Sequence, residues 1–246
     1  MTLQLAGKRS FNPPPLTLSS GAIETIKWLA LIAMTLDHAN KILLNAQFAW
    51  MYALGRLAMP LFGFVLAYNL AMPDALKSHI YSRVMMRTFI VGLVAAPFYS
   101  VAFHHVGLGA LNILFALGLA TCIIYLIDKS MHSHNADSAI ITRALAMALL
   151  MLGSLLVEGQ IIAVGYVLAA WTYCKTQNVW TLLIWILSIA SLYLINDNAW
   201  AFAAIPIILL TSKINFELPR LRWVFYAYYP LHLAILLSMQ RCHYVL

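Results

Sequence analysis

The chain has 246 residues, of which 63% are hydrophobic and only 9% are charged, and its formal net charge is +7. Soluble domains carry about 25% charged residues, so this composition excludes a soluble globular protein and indicates an integral membrane protein. Three cysteines without metal-ligand spacing argue against a disulfide framework and a metal site. The basic residues fall between apolar runs, so the positive charge indicates membrane topology and not a nucleic-acid partner.

The chain begins with a polar stretch, residues 1–20, that contains three consecutive prolines at positions 13–15. We predict that this stretch is a flexible cytoplasmic tail. It does not have the pattern of a signal peptide, because the apolar run after Ser20 is too long and no small-residue cleavage site follows it. Residues 21–246 are predicted to form a single transmembrane domain.

Apolar runs follow one another through the rest of the chain and predict an all-α, polytopic membrane bundle of about nine spans. Some of the later runs are short, which leaves a range of seven to nine. Under the nine-span assignment, twelve basic residues fall on one side of the membrane and two on the other. This bias predicts a cytoplasmic N terminus and a C terminus on the outer side of the membrane. The predicted spans are 23–44, 50–70, 83–103, 111–128, 140–157, 160–174, 179–195, 199–212 and 224–240.

The first span contains the sequence TLDHANKI, which places Asp37 and His38 side by side in an apolar run. A charged residue at mid-span costs roughly 2.5–3.5 kcal/mol, so Asp37 is expected to face the bundle and to be paired. Lys41 follows Asp37 by four residues and is its nearest partner on the helix. Because ionisable residues inside a membrane segment are functional candidates, Asp37 and His38 are the first candidates for catalysis.

Lys27 precedes His38 by eleven residues, which on a helix returns to nearly the same face after a rise of about 16 Å. Leu31 and Met34 lie between them. This stripe predicts a site for a long anionic ligand, with its phosphates at Lys27 and its reactive end at His38. Coenzyme A has such a shape. The alternative is that Lys27 only marks the cytoplasmic boundary by snorkelling.

The second predicted span contains Arg56, which stays charged and needs an anion unless it snorkels outwards. Asp37 and Glu158 are its candidate partners. Glu158 belongs to the sequence EGQ, a predicted tight turn. It has three interpretations: a base, a partner for Arg56, or a solvated loop acid.

The last predicted span contains Pro230 and, two residues later, His232. The proline bends the helix and frees the carbonyl of Tyr226, which places a histidine just beyond the bend. An aromatic belt explains the tyrosines of this span but not a histidine inside it. Asn112, at the start of the fourth span, is predicted to cap that helix or to donate a hydrogen bond inside the bundle.

Four stretches of the sequence, which contain most of the residues discussed above, together resemble the TraX family, the membrane acetylases of F-type conjugative pilin. The EGQ turn is a looser match to that family. The spacing of Lys27 and His38 also resembles the basic-x10-His signature of the acyltransferase-three membrane superfamily, which moves acyl groups from cytoplasmic acyl-CoA across the membrane. The matching stretches are IKWLALIAMTLDH (26–38), GRLAMPLFGF (55–64), LNILFALG (111–118) and FYAYYPLHL (225–233).

The resemblance implies transfer of an acetyl group from acetyl-CoA to the N-terminal amine of a pilin subunit in the bacterial inner membrane, which would place the C terminus of the chain in the periplasm. The sequence lacks metal-ligand spacing, so we expect no metal. We expect His38 to be the base. Asp37 is expected to act through Arg56 or Lys41. The other candidate catalytic groups are Arg56, Asn112 and His232, which can stabilise the carbonyl oxygen, and Glu158. The candidates for binding the CoA phosphates are Lys27, Arg83, Arg87, Arg220 and Arg222.

Several interpretations stay open at this point. The acceptor of the acetyl group can be a glycan or lipid hydroxyl instead of an amine. The chain can be a proton-coupled transporter that uses Asp37, Glu158 and His232, or a pilin-binding chaperone without catalysis. Within the acetylase interpretation, either His38 or His232 can be the base, and a covalent acetyl-histidine step is possible.

Overall fold

A computed structural model describes residues 16–104, 107–214 and 218–245. Most of the predicted tail therefore lies outside the described residues. Within the described ranges the chain forms α-helices without a β-sheet, as predicted. The helices are α1 (Ser20–Leu43), α2 (Ala49–Gly55), α3 (Ala58–Leu70), α4 (Ile80–Phe103), α5 (Ile113–Met131), α6 (Ala136–Ala148), α7 (Gln160–Thr176), α8 (Val179–Ser191), α9 (Tyr193–Asn196), α10 (Ala204–Thr211) and α11 (Arg222–Val245).

Five helical segments of the described chain are long and apolar enough to cross a membrane. This confirms the prediction of an all-α, polytopic membrane bundle. The count of nine spans and the sides on which the termini lie stay predictions. The five segments are Ala49–Leu70, Ile80–Phe103, Ile113–Met131, Ala136–Leu156 and Val179–Asn196.

The predicted second span is interrupted, because α2 ends at Gly55 and α3 begins at Ala58. Pro60 explains the interruption. In a continuous helix, its ring would collide with the carbonyl four residues earlier, that of Arg56. Proline also lacks the N–H that a helix would need at this position. The hydroxyl of Tyr166, on α7, donates to the Pro60 carbonyl at 2.7 Å and holds the start of α3. The break leaves Arg56 between two helices, deep in the bundle.

A short backbone pairing positions the turn that carries Glu158. The Leu111 N–H donates to the Leu156 carbonyl at 3.0 Å, and the Glu158 N–H donates to the Leu111 carbonyl at 2.7 Å. Gly159 follows with a φ of 70°, a left-handed conformation that glycine adopts without strain. The predicted tight turn is therefore present, and it is attached to the segment that leads into α5.

The bundle has two hydrophobic clusters. The larger cluster joins α1, α3, α5, α7, α8 and α10 through residues such as Phe64 and Tyr166. The smaller cluster lies between α1, α4 and α11 and contains Met34, Tyr99 and Tyr229. The cavities described below are lined by side chains that belong to both clusters.

Helices α1 and α2 approach each other closely at Gly55. A Cβ atom at this position would lie 2.7 Å from Cγ and 2.9 Å from Oδ1 of Asp37, which is closer than real side chains approach. Glycine is therefore required for the packing that brings Asp37 against the end of α2.

We predict that Gly55→Ala destabilises the protein by about 1–3 kcal/mol, because the new methyl group overpacks the contact with Asp37. Gly165→Ala in α7 is the matched control, because a Cβ there would meet nothing within 4 Å. Alanine is normally preferred over glycine inside a helix by roughly 0.5–1 kcal/mol, so the control is expected to be neutral or stabilising. The measurement is the thermal unfolding midpoint in detergent. Equal midpoints for the two variants would contradict the close approach.

Candidate active site

Four of the predicted catalytic residues line one cavity of about 210 Å³: Asp37, His38, Arg56 and Glu158. They come from α1, from the break between α2 and α3, and from the turn before α7. Asn196, at the end of α9, lines the same cavity. Residues from distant parts of the sequence therefore place several charged groups in one chamber, which we call the inner chamber.

Asp37 is 5% exposed, and one of its oxygens contacts two cations. Its Oδ2 accepts from Arg56 Nη2 at 2.6 Å and from Lys41 Nζ at 2.8 Å. Both partners proposed from the sequence thus bind the same carboxylate. Two charge-assisted hydrogen bonds compensate for the loss of water around a buried carboxylate.

The Arg56 side chain has further contacts that the sequence did not reveal. Its Nη1 donates to Asn196 Oδ1 at 3.3 Å, and its Nε donates to the Tyr52 carbonyl at 3.3 Å. The guanidinium also lies 4.3 Å from the centre of the Tyr52 ring, a cation–π contact. The Tyr52 hydroxyl donates to the Asn196 carbonyl at 3.1 Å. Asn196 therefore belongs to the site, although it is not among the site residues predicted from the sequence.

His38 and His232 contact each other directly, with 2.7 Å between His38 Nδ1 and His232 Nε2. His232 Nδ1 lies 2.9 Å from the Tyr228 carbonyl. A carbonyl oxygen only accepts, so His232 Nδ1 carries a hydrogen, and in the neutral pair His232 Nε2 is an acceptor. His38 Nδ1 is then the donor, and the lone pair of His38 Nε2 stays available. The hydrogen-bond network thus assigns His38 the tautomer of a base and His232 the position that orients it.

Aromatic rings surround the histidine pair and hold α11 against α1. The His38 ring lies 5.1 Å from the ring of Phe103 and 6.5 Å from that of Tyr229. The hydroxyl of Tyr228 is 2.8 Å from Oγ1 of Thr35, one turn before His38. The imidazoles are therefore fixed on both helices. His232 lies behind His38 and is not among the residues that line the inner chamber.

Glu158 lies in the inner chamber with His38 and is hydrogen-bonded to Tyr99 of α4. It also interacts electrostatically with Tyr229 of α11. The solvated-loop interpretation of Glu158 therefore does not describe its surroundings.

Asn112 does not reach either cavity and has a structural position. It is fully buried, its Oδ1 accepts from the Leu114 N–H at 3.1 Å, and its Nδ2 donates to the Gly92 carbonyl at 2.9 Å. It therefore caps α5 and joins α5 to α4, so both interpretations of Asn112 as a structural residue hold together. An oxyanion donor would need an amide that points into a cavity, and Asn112 does not provide one.

A second cavity of about 370 Å³, the outer chamber, brings four of the predicted phosphate-binding residues together: Lys27, Arg83, Arg87 and Arg220. The side chain of Arg222 lies outside the described part of the structure. Among the described residues that line the outer chamber, Glu24 is the only acidic one, and it binds Lys27 at 2.6 Å. The lining of this chamber is therefore strongly basic.

Comparison with known proteins gives a consistent result. The model of the TraX protein family matches residues 22–240. The chain is 27% identical over 242 residues to the probable fimbrial assembly protein FimC, serogroup H1, of Dichelobacter nodosus, a match that covers 87% of this chain and 93% of that protein. It is 33% identical over 113 residues to protein TraX of Escherichia coli strain K12, which covers 44% of this chain and 41% of that protein. No solved structure matches the chain.

We predict that Asn112→Ala lowers the free energy of unfolding by roughly 1–3 kcal/mol, since it removes a helix cap and leaves the Gly92 carbonyl without its donor. Asn112→Ser keeps a capping oxygen and is expected to lose less. The measurement is the thermal midpoint in detergent, together with the activity proposed below at a temperature where each variant is folded. An inactive but fully stable Asn112→Ala protein would contradict the structural role.

Proposed function

We propose that this chain, which belongs to the TraX family, is a membrane-embedded acetyltransferase that transfers acetyl from acetyl-CoA to the N-terminal amine of a conjugative pilin. The observation that carries the proposal is the free Nε2 lone pair of His38, held by His232 in a polar chamber next to a basic one. A base beside an anion-binding cavity is what acyl transfer from a CoA thioester requires. The predicted inner-membrane location and sidedness belong to the same proposal.

The outer chamber fits the anionic part of the proposed donor. Each of its four cations has donors left after the contacts it makes within the protein, because a lysine has three N–H groups and an arginine has five. Arg83 donates to the Ser78 carbonyl at 2.8 Å, and Arg220 donates to Ser20 at 2.8 Å. Arg87 lies 5.0 Å from the Trp223 ring and is held over it. These groups are expected to bind the phosphates of acetyl-CoA and to orient its thioester towards His38.

His38 is proposed to act as a general base on the pilin amine. An α-amine has an ordinary pKa of about 7.7–8.0, so part of it is neutral at physiological pH and the base has little to do beyond taking one proton. The amine nitrogen attacks the thioester carbonyl while His38 Nε2 accepts its proton. His232 accepts a hydrogen bond from the other ring nitrogen, which supports the imidazole as it gains charge.

Arg56 is the best-placed group for the negative charge on the thioester oxygen. Its hydrogen bonds to Asp37, Asn196 and Tyr52 use three of the five N–H groups of a guanidinium. The other two are available in the inner chamber, which Arg56 lines. A fixed cation in a site of low dielectric stabilises an oxyanion strongly. Asp37 then acts as a positioning residue that holds the guanidinium.

The proposed reaction is balanced without a further reactant. The new N–C bond forms, the C–S bond breaks, and the CoA thiolate leaves through the outer chamber. The proton that His38 took from the amine passes to the departing sulfur, which restores the neutral imidazole. No covalent acetyl-enzyme is needed, because donor and acceptor can meet at His38 in one step.

We predict that an F-type pilin produced in bacterial cells with this protein gains one acetyl group at its N terminus, detected by intact-mass and fragment mass spectrometry. The gain is expected to fall by roughly 100-fold or more in the His38→Ala variant. His232→Ala is expected to retain more activity than His38→Ala, because His232 orients the base without touching the substrates.

His134→Ala is the matched control, since His134 is exposed between α5 and α6. It is expected to behave like the unmodified protein. Acetylation that persists in His38→Ala would move the base to His232 or Glu158. A pilin without acetyl in every sample, with the protein present in the membrane, would exclude pilin acetylation and favour a glycan or lipid hydroxyl as acceptor.

A further inference from the structure

The two chambers share one wall. Four side chains line both cavities: Met34, Phe62, Ile113 and Tyr229. They come from four different helices, α1, α3, α5 and α11. Phe62 and Ile113 pack against the small hydrophobic cluster to which Met34 and Tyr229 belong. We call these four residues the neck.

The neck lies directly beside the proposed base. Met34 is one helical turn before His38 on the same face of α1, and the Tyr229 ring lies 6.5 Å from the His38 ring. A thioester held from the outer chamber must therefore bring its carbonyl carbon to the neck in order to react. Its acyl group then occupies the neck or projects beyond it.

The space beyond the neck suits an acceptor and does not suit an alkyl chain. The inner chamber is about 210 Å³, against about 370 Å³ for the outer chamber. Asp37, Arg56, Glu158 and Asn196 line it together with apolar side chains such as Ile195. A methylene chain that fills this space removes water from the charged and amide groups without replacing its hydrogen bonds, which costs free energy. A long acyl group would also occupy the place of the amine.

We propose that the neck limits the donor to short acyl groups, with Phe62 as the main specificity-determining side chain, an inference that rests on the proposed acyl transfer. The apolar side chains of the neck contact the methyl group of an acetyl thioester. Each additional methylene must pass Phe62 and enter the polar chamber. Selection is thus by shape at the neck and by polarity behind it.

The test is a competition in membrane vesicles that contain the full chain and an F-type pilin. Acetyl-CoA and octanoyl-CoA are supplied together in equal amounts, and the ratio of acetyl to octanoyl groups on the pilin is read by mass spectrometry. This ratio compares kcat/KM for the two donors and does not depend on how much of a variant is folded. The original chain is expected to favour acetyl by at least roughly tenfold.

Phe62→Ala is expected to lower this ratio by roughly tenfold or more, because removal of the ring opens the neck. Leu117→Ala is the matched control, since Leu117 lines only the outer chamber, and its ratio is expected to stay unchanged. Ile113→Ala opens the neck from α5 and serves if Phe62→Ala does not reach the membrane.

The outcomes separate the two proposals. Acetyl transfer without preference over octanoyl in the original chain would overturn the neck proposal and leave acetyl transfer intact. A preference for acetyl that neither Phe62→Ala nor Ile113→Ala reduces would also overturn it. A pilin that receives neither group from the original chain would overturn the proposed function, and the neck proposal with it.

Discussion

The pairing of Asp37 with Arg56 and Lys41 is the interaction on which the rest of the site depends. A carboxylate in a membrane segment is costly unless it is paired, and two cations share one oxygen of Asp37. The pair ties α1 to the end of α2, where Gly55 has no side chain and lets the helices approach. His38 follows Asp37 in the sequence, so the same contact fixes the part of α1 from which the imidazole enters the inner chamber.

The charged residues of this site can be predicted from the sequence, because burying an unpaired charge costs free energy. The contacts between distant residues cannot, because they depend on tertiary packing. Asp37 and Arg56 are recognisable because a membrane segment tolerates neither without a partner. The contact between His38 and His232 joins residues 194 positions apart, and no periodicity carries that information. Asn196 is missed for the same reason, since a polar turn ordinarily faces solvent. The break before α3 follows from Pro60, which the sequence displays but the prediction of one continuous span overlooked.

One backbone atom, the carbonyl oxygen of Tyr228, determines which nitrogen of each imidazole in the histidine pair carries a hydrogen. A free imidazole presents either nitrogen as the acceptor, and an apolar environment alone does not select between them. The Tyr228 carbonyl fixes the hydrogen on His232 Nδ1, and this choice passes through the 2.7 Å contact to His38. The sequence left both histidines as candidates for the base because it shows residues and not tautomers. The two histidines differ in position, since His38 lines the inner chamber and His232 does not.

The distribution of charge between the chambers orients a ligand by itself. Among the described residues, the outer chamber is lined by four cations and one acid, and the inner chamber by one arginine, Arg56, and two acids, Asp37 and Glu158. The phosphates of an anionic donor are therefore attracted to the outer chamber only. An apolar wall opposes the passage of charge, whereas an uncharged thioester end crosses it at little cost. In the proposed reaction, the donor would thus enter with its neutral end towards His38, and the inner chamber would be left for the amine.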